Sequence, residues 1–72
     1  MDDQDELADE VAIRIALADL RLAHQDLDAA IAALEAGPQV DQLRIARLKK
    51  RKLGLRDQIT RMEERLTPDI IA

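Results

Sequence analysis

Cysteine is missing from this chain altogether, which rules out disulfide staples and thiolate metal sites and leaves no mark of an oxidising compartment. Phe, Tyr and Trp are missing as well, so the chain lacks the residues that favour β-sandwich strands and those that stack on unpaired bases. Serine is also absent, no Gly-rich phosphate loop is present, and the hydroxyls of Thr60 and Thr67 have no histidine near them in the register derived below. Catalysis therefore has almost nothing to build on, because nucleophile, base and anion cradle are all wanting. No apolar run approaches membrane-spanning length, and the opening Met1-Asp2-Asp3-Gln4-Asp5-Glu6 is acidic where a secretory leader needs positive charge. The expectation is a soluble, unprocessed, cytoplasmic protein that is not an enzyme, carries no cofactor or metal and does not engage a membrane.

Glycine and proline are scarce too: Gly37, Pro38, Gly54 and Pro68 are all there are. What fills the chain instead is Ala, Leu, Ile, Arg, Lys, Asp, Glu and Gln, the alphabet of long helices and coiled coils. Gly37-Pro38 is the obvious break, since glycine suits the left-handed position just past a helix end and proline the first turn of the next helix. One all-α domain follows over residues 1–72, with a helix at about 5–36, a turn at about 37–39, a second helix at about 39–66 and a short tail, 67–72. Asp3 and Glu6 have capping-box spacing, Asp41 suits the positive first turn of the second helix, and Pro68 stops that helix. Charge divides along the same line. Residues 1–36 hold ten acids and two bases, net −8, and residues 37–72 hold five acids and nine bases, net +4. The two segments should attract one another.

The first helix carries Ile13, Leu17, Leu20, His24, Leu27, Ile31 and Leu34, and the second Ile45, Leu48, Lys52, Leu55, Ile59, Met62 and Leu66. Alternate spacings of three and four make each set a heptad seam with one polar member. An antiparallel hairpin turning near 37–40 closes the seams into layers: Leu34 with Ile45, Ile31 with Leu48, Leu27 with Lys52, His24 with Leu55, Leu20 with Ile59, Leu17 with Met62 and Ile13 with Leu66. In that register Asp28 faces Lys49 and Arg14 faces Glu63, while Arg21 meets Arg56 as an exposed mismatch worth tenths of a kcal/mol. His24 reads as a structural seam residue reaching Asp28 or a backbone carbonyl, since no second His or Cys completes a metal site. Lys52 reads as a register-setting residue whose ammonium runs out toward Asp28.

Two helices leave every seam residue half open, so a hairpin usually packs on something else. Leu7, Val11, Ile15, Ala18 and Leu22 form a second apolar stripe on the first helix, and Leu43, Ala46 and Leu53 lie off the seam of the second. A helix apolar on two sides is normally covered on two sides. This stripe is the candidate oligomer contact, with a dimer forming a multi-helix bundle as the simplest assembly and an unidentified protein as the other occupant.

The run from Arg44 to Arg56 holds Arg44, Arg47, Lys49, Lys50, Arg51, Lys52 and Arg56 and no acid. Such a face is the raw material of phosphate contacts, and a nucleic-acid-binding module is the alternative reading. Against it stand the net charge of −4, the missing aromatics and the acidic helix that competes for the same bases. An interfacial membrane helix lacks its aromatic anchors.

The run His24-Gln-Asp-Leu27-Asp28-Ala-Ala-Ile31-Ala-Ala-Leu34-Glu35, followed by Leu48-Lys49-Lys50-Arg51-Lys52-Leu53-Gly54-Leu55-Arg56-Asp57-Gln58-Ile59, resembles the small YdcH-like bacterial proteins, a family of unknown function. The resemblance covers about residues 20–62, and Gly54 and Gln58 stand where the family usually has charged residues. It implies a helical hairpin of bacterial origin and brings no catalytic activity with it.

Overall fold

The computed structural model describes residues 3–66, with side chains from residue 8 onward. Two helices account for nearly all of it: α1, Asp3–Ala36, and α2, Gln42–Leu66. They fold back on each other as an all-α hairpin. α1 contains neither glycine nor proline and is dominated by strong helix formers. The Asp3–Glu6 capping box and the Leu7 side chain lie outside the described side chains, and Thr67, Pro68 and the 69–72 tail lie outside the described residues.

The turn differs from the sequence expectation in two ways. First, no described residue, glycine included, has a positive φ, so Gly37 is not a left-handed cap. Its N–H instead closes on the Leu34 carbonyl at 3.4 Å, a tightened three-residue link. The cause is Pro38, because a residue before proline is pushed toward extended backbone. Second, α2 begins at Gln42 rather than near residue 39, and Pro38 lies in the connection rather than in the first turn. Asp41 explains this. Its Oδ1 accepts the Arg44 N–H at 3.1 Å and its carbonyl accepts the Ile45 N–H at 3.0 Å. A side chain caps only from a non-helical residue, which keeps Asp41 just outside the helix.

All fourteen seam positions are buried or half-buried, and among the described side chains the only other helical ones withdrawn from solvent are Ala16 and Ala23. Only Leu17 (4% exposed), Ile31 (5%) and Ile45 (4%) are fully buried. Each contributes about 2 kcal/mol of burial, a small core for a chain of this length. The dimensions explain it: the molecule measures 57 × 26 × 15 Å, and its thinnest dimension is little more than the roughly 10–12 Å diameter of one helix. Among the described residues, two helices lie side by side in one layer. Leu66, the last described residue of α2, shares a cleft with Asp9, Glu10 and Ile13, so α1 runs on for about two turns past that level.

Candidate interaction surfaces

The seam is apolar except at one place. Lys52 reaches out of it to Asp28, Nζ to Oδ1 at 2.6 Å, as its long stem allows. His24 sits on the other side of the same carboxylate, Nδ1 to Oδ2 at 3.9 Å, too far for a hydrogen bond and a charge pair only when the imidazole is protonated. The hydrogen bond from Lys52 holds Asp28 below the usual carboxylate range, with slight desolvation opposing and the charges of Lys52 and His24 adding to the effect. No three His, Cys, Asp or Glu side chains among the described residues gather as a metal site.

Around it the hairpin has two unlike flat sides. One carries Arg14, Arg21, Asp28 and Glu35 from α1 and Lys49, Arg56 and Glu63 from α2. Here the helices are tied by Arg21–Glu63 at 2.7 Å and Lys49–Glu35 at 3.3 Å, besides Lys52–Asp28, while Arg14 pairs along its own helix with Glu10 at 3.0 Å. The expected partners are thus shifted: Lys49 takes Glu35 rather than Asp28, and Arg21 takes Glu63 rather than meeting Arg56. Arg14 shares a cleft with Arg21 and Glu63, but the ion pair it makes is with Glu10. Helical side chains lean toward their own N-terminus. In an antiparallel pair this lean favours contacts in which the α1 residue lies nearer the turn, as Glu35 does for Lys49 and Arg21 for Glu63.

The opposite side is different in kind. An open cleft of about 430 Å³ brings Ala23, Asp26, Leu27 and Ala30 together with Arg51 and Leu55, and another joins Asp9 and Ile13 to Arg65 and Leu66. From α1 this side receives alanines and Asp9, Asp19 and Asp26. From α2 it receives Arg44, Arg47, Arg51, Gly54, Gln58, Arg61 and Arg65, spaced alternately by three and four. None of those aspartate or arginine side chains forms an ion pair among the described residues.

The basic run is therefore split by the fold. Lys49 and Lys52 are tied to carboxylates, Lys50 points outward, Arg56 lies on the ion-paired side, and Arg44, Arg47 and Arg51 join Arg61 and Arg65 in one row. Sequence reading missed the last two by stopping where consecutive bases stop. Helical spacing was the signal that would have found them.

The second apolar stripe is open to solvent: Val11 is 54% exposed, Ile15 60% and Leu22 57%, with Ala18 exposed between them. Leu43, Ala46 and Leu53 are exposed on the outer edge of α2.

A family model described as a protein of unknown function (DUF465) matches residues 17–63, well over half of the chain. The chain belongs to this family. The match takes in α1 from Leu17 on, the turn, α2 as far as Glu63, the polar break and the three ion pairs between the helices; of the stripe it includes Ala18 and Leu22 and leaves out Leu7, Val11 and Ile15. The family description attaches no activity. No curated protein and no solved structure matches the chain. No helix among the described residues is long and apolar enough to cross a membrane.

Proposed function

We propose that this family member is a small structural or interaction protein of the cytoplasm that works by helix–helix packing and assembles with copies of itself, most simply as a dimer forming a four-helix bundle. The observation that carries the reading is the stripe of Val11, Ile15, Ala18 and Leu22, which runs along α1 away from the seam and is more than half exposed at its three large side chains. The area agrees. The chain exposes 5994 Å² at 8.1 kDa, whereas a compact monomer of that mass exposes about 4,500 Å². The excess, roughly 1,500 Å² per chain, is more than the about 800 Å² that each partner contributes to a standard interface. The reading assigns the chain no catalytic role, and the His24-to-Ile31 run supports a YdcH-like membership within it. Binding of nucleic acid through the consecutive basic run loses ground, because Lys49 and Lys52 are already spent on Glu35 and Asp28.

Sedimentation of the full chain tests this. Wild type should associate at micromolar concentration, and Ile15→Glu, which places a charge in the contact, should lower the assembly state without unfolding the hairpin. A monomeric wild type would end the proposal. Association untouched by Ile15→Glu would remove the stripe from it and leave a contact elsewhere, and dependence on an added second protein would replace the homo-oligomer with an adaptor.

A further inference from the structure

We infer that the flat side bearing the arginine row is a self-complementary docking face, on which a second copy of this chain lies with its α1 across α2 of the first. The inference rests on the self-association proposed above and names a face and an arrangement for it, independent of the apolar stripe. Three observations carry it.

The first is contrast between the two sides of one thin layer. On one, basic and acidic side chains are joined across the helices at 2.6 to 3.3 Å. On the other, Arg44, Arg47, Arg51, Arg61 and Arg65 and the carboxylates Asp9, Asp19 and Asp26 have no ion-pair partner among the described residues, although Asp26 and Arg51 share one cleft and Asp9 and Arg65 another. The second is relief. The α1 positions nearest the seam on this side are Ala16, Ala23 and Ala30, side chains short enough to let another helix approach, with Leu27 and Leu55 half-open at the floor of the cleft.

The third is the distribution of sign, which selects the partner. A nucleic-acid backbone offers one sign only, and three aspartates share the face with the arginines. A second copy offers both signs. A twofold axis along the hairpin preserves height and exchanges the helices, so that Asp26 comes opposite Arg51 of the other copy and Asp19 opposite Arg61. A twofold across the hairpin would set acid on acid and arginine on arginine. Charge thus favours the first arrangement, in which oppositely charged helices alternate around a four-helix bundle.

The test uses charge reversal in the full chain, read by sedimentation velocity. Wild-type association should weaken as sodium chloride is raised. Asp26→Arg and Arg51→Glu should each raise the dissociation constant by about tenfold or more, and circular dichroism should show both variants still helical, since both residues are exposed. Mixed in equal amounts, the two defective variants should associate with each other, because every Asp26–Arg51 contact in the mixed pair regains opposite signs. A mixture no tighter than its components overturns the face. Wild type that associates independently of salt and of both reversals does the same, and leaves the stripe standing. A monomeric wild type removes both. Duplex DNA retained at low salt and lost with Arg51→Glu, without salt-sensitive self-association, would assign the row to a polyanion and overturn the inference.

Discussion

Asp28 is the residue on which two helices and the polar break of the seam converge. Its carboxyl sits below the ordinary range because the folded state supplies the Lys52 ammonium as hydrogen-bond donor. The direction of the pH effect follows. Above the ordinary carboxylate value Asp28 is ionised in both folded and unfolded chains, and the contact contributes in full. As pH falls, the unfolded chain takes up its proton first, and the contribution is gone once pH passes below the folded value. Acid titration of the helical signal should therefore show stability falling from the ordinary aspartate range downward, and Asp28→Asn should flatten that limb while changing little of its shape above it. Gly54 makes the opposite kind of prediction. It lies inside α2 with nothing within 4 Å of where a Cβ would stand, so Gly54→Ala gains helix propensity without a clash. The expected gain is about 0.5–1 kcal/mol, read as a higher thermal midpoint.

At the scale of the helices, α2 depends on its cap. Asp41 satisfies the Arg44 N–H at 3.1 Å, and Asp41→Ala should cost about 1 kcal/mol in a denaturant titration, with the first turn of α2 losing amide protection before the rest. Asp41 also shows where sequence reading stops. The seams were legible, since spacings of three and four over seven positions admit one buried face, and Ile13 through Leu34 and Ile45 through Leu66 are withdrawn from solvent. The start of α2 is less legible, because Pro38 and Asp41 are both start signals and only the second closes a hydrogen bond. The flanking ion pairs were misassigned because level residues were matched, when the lean of helical side chains brings together residues offset along the axis. The arginine row went unread because consecutive bases draw the eye, and Arg61 and Arg65 join Arg44, Arg47 and Arg51 only once the chain is wound.

For the whole molecule, the stripe and the arginine side fall on different parts of the surface, one along the outer edge of α1 and the other on a flat side. A copy docked on one leaves the other free, so a chain that uses both builds pairs and then pairs of pairs. The 15 Å thickness also has a thermal consequence. A layer one helix deep hides little from water, so melting it exposes little, and the enthalpy and entropy of melting are both small. With so shallow a slope, each kcal/mol gained or lost moves the midpoint by several degrees, about 4–8 °C in domains of this size. Mass action then enters on the same footing as any substitution, since copies that bind only the folded hairpin draw the midpoint upward as they accumulate. In the proposed assembly, therefore, the temperature at which the chain loses its shape depends on how much of it there is.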